Sequence, residues 1–247
     1  METYQRIASI IALLSLLIVA ASSAQANQDY EELDPIEGFN RAMFSFNEQA
    51  DKYLLKPVAQ AYKFITPDIV NRGITNFFNN LDEVETFVNS LLQGKFHNAT
   101  VTLNRLIYNT TFGLGGFFDV ATGFGLQNDE EDFGQTLAVW GYENSSYLVL
   151  PFLGPTTVRD GAARFVDSYF EPLRYVDHMH RDELLLAQGV KIVDKRADLL
   201  GGENLFVGTD SYRFVRSAYY QNREFVINDG EVNDPFAEED FESYEDF

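Results

Sequence analysis

The sequence predicts an all-α fold: a bundle of amphipathic helices with one irregular segment rich in glycine and aromatic residues and a disordered, acidic C-terminal tail. Apolar residues recur at spacings of three and four over several stretches, which is typical of helices with one apolar face. Aspartate, proline and glycine stand where such helices would begin and end. Repeated alternation of apolar and polar residues, which would predict strands, is absent.

Composition limits the classes of function. The 247 residues suffice for one domain, or two at most. The formal net charge of −20, from 38 acidic and 18 basic residues, disfavours nucleic acid or an anionic lipid surface as a partner. The 22 phenylalanines exceed the needs of a modest core, so an apolar ligand or a membrane face is possible. The sequence has no cysteine, which argues against disulfides, cysteine-bound metals and a lipid-modified cysteine.

Residues 1–26 are predicted to be a secretory signal peptide. Arg6 precedes an apolar run at 7–21, and Ala24-Gln25-Ala26 supplies a small-x-small cleavage pattern. We expect cleavage before Asn27, and an uncleaved anchor is the alternative. The domain prediction is a mature domain at 27–228 and a tail at 229–247. The tail has nine acidic residues and no basic one, which favours a solvating tail over a docking segment for a basic partner.

The helices of the first half are predicted from their start signals and apolar stripes. Asp34 is the expected N-cap of a first helix, with Pro35 at its first position and Pro57 at its end or at a kink. A short helical piece after Pro67 is expected to be interrupted at Gly73. Two further helices follow, near 74–92 and 98–108, and each apolar stripe is predicted to face a core. The stripes contain Ile36, Phe39, Met43, Phe46, Ala50 and Tyr53, then Ile74, Phe77, Phe78, Leu81, Val84, Val88, Leu91 and Leu92, then Leu103, Leu106 and Ile107.

In the second half an acidic turn at 128–132 precedes a predicted helix at 133–140. Residues 147–150 are expected to be extended. Gly154-Pro155-Thr156 is predicted to cap a helix whose apolar face carries Val158, Phe165 and Tyr169. Helices at 182–200 and 210–222 follow, the second with Asp210 as N-cap.

The segment from Asn109 to Asp119 is apolar without being a good helix. Five glycines interrupt the stretch that follows Thr110, and Asp119 is its only charged residue. Each glycine costs about 1 kcal/mol relative to alanine in a helix. The segment therefore suits either a re-entrant or interfacial element or a set of tight turns between core helices, and the residues alone leave both open.

Motifs of catalytic chemistry are missing, so we expect no enzymatic activity, no cofactor and no metal. The sequence has no Gly-x-Ser-x-Gly elbow, His-Glu-x-x-His pair or P-loop. His178 and His180 beside Asp177 could hold a metal, although a water-facing pair in a loop is the more ordinary interpretation. Arg159 and Asp160 form either a structural clamp or a polar element beside a ligand path, and the cost of burying a lone charge favours the clamp.

Several motifs in order resemble those of the VacJ/MlaA family of outer-membrane phospholipid-transport lipoproteins. The resemblance spans residues 34 to 230 and rests on DPIEGFNR at 34–41, NFFNNL at 76–81, NTTFGLGGFFD at 109–119, EDFGQTL at 131–137, LPFLGP at 150–155 and VRD at 158–160. It implies a ring-like helical protein in the periplasmic leaflet of the outer membrane. Such a protein would remove mislocalised phospholipids from the outer leaflet and pass them to a soluble periplasmic carrier while bound to a trimeric porin. The alternative is a periplasmic lipid-binding or porin-associated scaffold protein without translocation activity.

The resemblance also implies roles for particular residues. The candidates for the lipid path or for membrane contact are Gly113, Gly115, Gly116, Phe117 and Phe118. The candidate polar supports are Asp119, Arg159 and Asp160. The candidate gating loop contains Gly141, Tyr142, Ser145, Ser146 and Tyr147. The sequence departs from the family in lacking a cysteine at the cleavage site and in having Ser145-Ser146 where Gly-Pro is common, which puts the flexibility of this loop in question.

Overall fold

The fold is mostly helical, as predicted. The computed structural model describes residues 33–142, 145–176, 180–201 and 210–231. The predicted signal peptide, Asp177, His178 and nearly all of the acidic tail lie outside these ranges. The α-helices are α1 (Glu37–Ala50), α2 (Lys56–Ile65), α3 (Asp68–Leu92), α4 (Phe96–Thr111), α5 (Val120–Gly123), α6 (Phe133–Val139), α7 (Val158–Asp167), α8 (Arg181–Asp198) and α9 (Ser211–Ile227).

Three shorter helical turns and one hairpin complete the described chain. A π-helical turn at Asp51–Leu55 joins α1 to α2, and 3₁₀ turns lie at Pro172–Tyr175 and Leu199–Gly201. Strands β1 (Tyr147–Leu150) and β2 (Gly154–Thr157) pair antiparallel, with Tyr147 opposite Thr157. The most extensive packing contact joins α3 to α4. In addition, α7 packs against α6, and α8 packs against α2.

The buried faces of the long helices are polar. Helix α3 buries Asn80, Glu83, Thr86 and Asn89. Helix α4 buries Thr102, Arg105 and Asn109 beside the small Ala99. Apolar clusters among the described residues are small: one joins Tyr147 and Val149 to Tyr212 and Tyr220, and another joins Phe133, Leu137 and Ala163.

The large apolar side chains lie outside instead. Phe64 is 91% exposed and Phe165 is 75% exposed. The prediction that the apolar stripes face a core is therefore wrong for much of α1 and α4, where the exposed members are Ile36, Phe39, Phe46, Leu103 and Ile107. The apolar face of α7 is likewise exposed at Val158 and Phe165. Periodicity identifies the residues that share a face, but it does not say what covers that face.

Helix boundaries follow local chemistry, with three corrections. Helix α1 has no side-chain cap, because Asp34 is buried and accepts a hydrogen bond from Asn40 Nδ2 at 2.8 Å. Gly73 lies inside the continuous helix α3 and does not interrupt it, because its missing side chain leaves room for the Phe117 ring. Residues Gly154–Thr157 form β2, and Thr157 caps α7 by accepting a hydrogen bond from Asp160 N at 3.1 Å.

Other predicted signals are confirmed. The helix predicted after the acidic turn is α6, and its N-cap Asp132, the last residue of that turn, forms a capping box with Gln135. Asp210 caps α9, and residues 147–150 are extended. Pro57 marks a helix irregularity: it follows the π-helical turn, where a ring without an N–H cannot donate to the preceding turn. Within the described ranges, no helix combines the length and the apolar character needed to cross a bilayer.

Candidate functional site

A cavity of about 690 Å³ lies among α3, α7, α8 and α9. Its wall combines apolar side chains, such as Leu81 and Ile192, with a high density of charge. The lining carboxylates are Asp82, Glu85, Asp132, Asp160, Asp167 and Glu171, and the lining cations are Arg164, Lys191, Lys195 and Arg223. Such a wall suits a ligand that has both polar and apolar parts.

Helical spacing brings these side chains together. Helix α7 contributes Asp160, Arg164 and Asp167, which are four and three residues apart and share one face. Helix α8 contributes Lys191 and Lys195 in the same way. Asp132 enters from the start of α6, where it also caps the helix.

One corner of the cavity is a dense ionic network around Asp160. Arg159 Nε donates to Asp160 Oδ1 at 2.8 Å, and Arg223 bridges Asp160 and Asp132. Burial raises the pKa of the Asp160 carboxyl, but the charges of Arg223 and Arg159 outweigh it and lower that pKa to about 2. Asp160 is therefore ionised at neutral pH, and its oxygens are fixed by their donors.

Arg159, a predicted polar support, is 2% exposed and connects this network to the candidate gating loop. Its Nη1 donates to Tyr142 O at 2.9 Å, and its backbone N–H donates to Ser145 Oγ at 2.8 Å. The predicted Arg159–Asp160 pair thus exists, and Asp160 is the member of it that lines the cavity.

The described ends of the candidate gating loop are held on both sides. Gly141 has φ of +105°, a backbone conformation that a larger residue adopts only with strain. Ser146 O accepts a hydrogen bond from Val158 N at 2.9 Å. Tyr147 is fully buried, and its carbonyl accepts from Asn40 Nδ2 at 3.0 Å. Residues 143 and 144 lie outside the description, and gating by this loop stays a prediction.

The glycine-aromatic segment forms the turn between α4 and α5 and does not line the 690 Å³ cavity. Gly113 lies tight against backbone: an added Cβ would lie 2.1 Å from Phe118 O. Gly116 lies against Asn80, whereas Gly115 faces open space. Phe117 packs on Gly73, and Phe118 is partly exposed beside the exposed Phe112, Leu114 and Phe124. Of the two predicted roles, this placement favours membrane contact.

Asp119 belongs to a second polar network, between α3 and α4. It caps α5 and accepts a hydrogen bond from Asn109 Nδ2 at 3.1 Å. Its neighbour Arg105 donates to Glu83 Oε1 at 2.6 Å and to Leu126 O at 2.6 Å. Burial raises the pKa of Glu83 to about 7, although Arg105 opposes the shift. The network therefore ties the two long helices to the turn that follows them.

Sequence reasoning missed most of the cavity wall and the Glu83–Arg105 pair. One signal was available: polar and charged residues recur at helical spacing on a face of α3 away from its apolar stripe, as at Asn80, Glu83 and Asn89. Such residues ordinarily face water, and only the packing of helices shows that they face each other.

A second cavity, of about 780 Å³, lies near the end of α9 and is lined by Lys95, His97, Glu131, Phe225 and Asp229 among others. Lys95 pairs there with Glu131 at 2.7 Å and with Asp229. Among the described residues no group of three His, Cys, Asp or Glu side chains could hold a metal ion. His180 lies at the N-cap of α8, where its backbone N–H donates to Glu183 Oε2 at 2.8 Å.

Comparison with known proteins identifies relatives over most of the chain. The model of the MlaA lipoprotein family matches residues 32–226. The intermembrane phospholipid transport system lipoprotein MlaA of Escherichia coli K12 is 34% identical over 232 residues, covering 91% of this chain and 90% of the relative. The protein of the same name from Haemophilus influenzae is 37% identical over 228 residues, covering 90% of each.

Two further likenesses agree with these relatives. A protein of Rickettsia typhi is 39% identical over 199 residues, covering 80% of this chain and 79% of that protein. A solved structure, from work on the structural basis for maintenance of bacterial outer membrane lipid asymmetry, superposes with a TM-score of 0.70 at 36% identity. It covers 79% of this chain and 99% of its own.

Proposed function

The chain belongs to the MlaA lipoprotein family, and we propose that it takes part in intermembrane phospholipid transport, removing mislocalised phospholipid from the outer leaflet of the outer membrane and so maintaining lipid asymmetry. The proposed path for the headgroup is the charged cavity among α3, α7, α8 and α9. The protein would act by binding and guiding lipid and not by catalysis.

The observation that carries this proposal is the reversed distribution of polarity. Buried positions hold charged and amide side chains, such as Glu83, Asn89 and Arg159, while large apolar side chains such as Phe64 and Phe165 are exposed. Soluble proteins seldom expose apolar surface on this scale without an apolar partner. A protein that is surrounded by acyl chains and has a polar route for headgroups inside would have both buried polar side chains and exposed apolar ones.

The proposal assigns locations and partners accordingly. After export, the exposed apolar side chains would lie in the periplasmic leaflet of the outer membrane, next to a trimeric porin. A soluble periplasmic carrier would receive the lipid. Arg159, Asp160 and Asp119 would act as polar supports, the loop from Gly141 to Tyr147 as a gate, and Phe117 and Phe118 with their neighbouring glycines as membrane contacts.

The first experiment measures phospholipid exposed on the surface of cells that lack this protein and of cells in which the wild-type chain is restored. We expect the exposed amount to rise in the deletion strain and to return to normal on restoration. An unchanged amount, in cells without a second family member, would contradict transport and favour the scaffold alternative.

A charge reversal tests whether the cavity is the path. Lys195 and Arg181 are exposed basic residues of the same helix, α8, but only Lys195 lines the cavity. Lys195→Glu should raise surface phospholipid towards the level of the deletion strain because the wall loses a cation that can hold phosphate. Arg181→Glu is the matched control: it changes the net charge equally and should leave clearance normal. Equal effects of both variants would argue against this route.

A further inference from the structure

Most charged groups of the cavity wall already have partners. Asp132 and Asp160 share Arg223, and Asp82 accepts from Lys191 Nζ at 2.5 Å. Glu171 accepts from Gln188 Nε2 at 3.1 Å. Asp167 accepts from the backbone N–H of Phe133 at 3.0 Å and from Asn89. These groups therefore have part of their hydrogen-bonding capacity satisfied before any ligand enters.

Among the described residues, two side chains of the cavity wall, one acidic and one basic, have no such partner. In the part of the chain that the structure describes, neither the carboxylate of Glu85 on α3 nor the guanidinium of Arg164 on α7 forms a hydrogen bond or an ion pair, and both line the cavity. Glu85 is partly buried and Arg164 is exposed. A carboxylate that is withdrawn from water without a donor is costly, so Glu85 gains from a ligand that supplies one.

Building on the proposed function, we propose that the cavity prefers a zwitterionic aminophospholipid headgroup, with the phosphate on Arg164 and the primary ammonium on Glu85. A guanidinium presents paired N–H donors that match two phosphate oxygens. A primary ammonium presents three donors, enough for a carboxylate and its neighbours. An anionic headgroup that ends in hydroxyls gives Glu85 no cation.

The balance of charge in the wall agrees with this preference. The wall holds six carboxyl groups and four cationic groups, and the two carboxyls whose pKa burial raises, Glu85 and Asp167, become charged most readily when a headgroup brings a cation. Burial raises the pKa of Glu85 to about 8, and the nearby charges of Asp167, Asp82 and Asp132 add to the shift while Lys191 opposes it. An ammonium next to Glu85 would favour the ionised carboxylate, so the proton that Glu85 carries in the empty cavity would pass to solvent.

The test measures which phospholipids the full chain takes from mixed vesicles. Detergent-purified protein is incubated with vesicles of equimolar phosphatidylethanolamine and phosphatidylglycerol, reisolated, and its bound lipid is quantified by mass spectrometry. We expect the wild type to enrich phosphatidylethanolamine by about tenfold, the factor that a hydrogen bond to a charged group of about 1.5 kcal/mol gives. Glu85→Gln should reduce the enrichment towards the vesicle ratio while keeping most of the bound lipid. Arg164→Gln should lower the binding of both lipids.

Glu48→Gln is the matched control, since it removes an exposed carboxylate that lies outside the cavity. It should keep the enrichment. The inference is overturned if the wild type binds phospholipid without enrichment, if Glu85→Gln keeps the wild-type ratio, or if Glu48→Gln loses as much. Absence of any bound phospholipid in the wild type would overturn the proposed function as well, so the two failures can be told apart.

Discussion

Glu83 and Arg105 show how one pair of residues holds two helices whose contacting faces are polar. Both side chains are nearly inaccessible, 1% and 4% exposed, and their Oε1 and Nε atoms are 2.6 Å apart. Arg105 Nη1 also donates to Thr122 Oγ1 and to Leu126 O, and Nη2 donates to Asp119 Oδ2 at 3.4 Å, which fixes the turn after α4. Removing either partner would leave a buried charge without compensation.

We therefore expect Arg105→Met to lower the free energy of unfolding by about 3–5 kcal/mol. The double variant Glu83→Gln with Arg105→Met should recover part of this loss, because the carboxylate that lacked a partner is gone. Denaturant unfolding in detergent, followed by circular dichroism, measures both. Equal losses in the single and double variants would show that packing, and not the unpaired charge, dominates.

Glu85 should make stability depend on pH. Its pKa is raised from 4.5 to about 8 in the folded protein, first by burial and then by Asp167, Asp82 and Asp132. Between these two pH values the folded state binds the proton more tightly than the unfolded state, so stability falls as pH rises through this window. Below pH 4.5 this penalty is absent.

Glu85→Gln removes that penalty. The melting temperature of the variant minus that of the wild type should increase from pH 5 to pH 9, although Asp167, whose pKa burial raises to about 7, keeps some pH dependence in both. Glu48→Gln, at an exposed position outside the cavity, controls for the loss of one charge. A melting difference that stays constant with pH would mean that Glu85 titrates normally.

At the scale of elements, the turn after α4 is anchored by a ring that fills a gap in α3. A Cβ on Gly73 would lie 2.2 Å from the ring of Phe117. A contact of that length forces the ring, and the glycine-aromatic turn behind it, to move. Gly73 and the glycine motif at 113–116 are far apart in sequence, but both allow the glycine-aromatic turn to pack closely against α3.

Gly73→Ala should destabilise the protein by about 1–3 kcal/mol through overpacking, which exceeds the roughly 1 kcal/mol that alanine gains in helix propensity. Gly189→Ala is the matched control in α8, where an added Cβ meets nothing within 4 Å. It should be neutral or stabilising. Denaturant unfolding midpoints of the two variants and the wild type measure these effects. A Gly73→Ala protein as stable as the wild type would show that the Phe117 ring can move at little cost in free energy.

The sequence predicts elements better than it predicts their environments. The acidic turn before α6 and the cap at Asp210 are local features, so a few neighbouring residues suffice to identify them. The predictions for Asp34 and Gly73 were wrong because distant partners, Arg216 and Phe117, decide the roles of these residues. The same limit applies to the cavity: Asp160 stood out beside Arg159, whereas Glu85 and Arg164 come from separate helices and line one cavity only because the chain folds.

For the whole molecule, the medium around the protein decides which face of a helix is buried. In water, apolar stripes such as those of α1 and α4 are expected to pack against each other in a core. Here the polar faces of the helices pack against each other and form hydrogen bonds, and the apolar faces are exposed. We therefore propose that Phe64, Phe112 and Phe165, which are 91%, 67% and 75% exposed, serve attachment to the membrane and not folding.

This distinction predicts a separation of effects in the triple variant Phe64→Glu, Phe112→Glu and Phe165→Glu. Exposed positions contribute little to folding, within about 0.5 kcal/mol each, so the unfolding midpoint should change modestly. Transfer of a phenylalanine side chain from water to an apolar phase gives about 1.5–3 kcal/mol, so losing three should weaken association with vesicles by about a thousandfold or more. Vesicle sedimentation measures this association.

The variant with leucine at the same three positions is the control, because it keeps apolar side chains at 64, 112 and 165 and should sediment with vesicles. If the glutamate variant sediments as the wild type does, these surfaces do not face lipid, and contact with another membrane protein must supply attachment. If it instead unfolds, the three rings stabilise the fold itself, and the reversed polarity would no longer indicate a lipid environment.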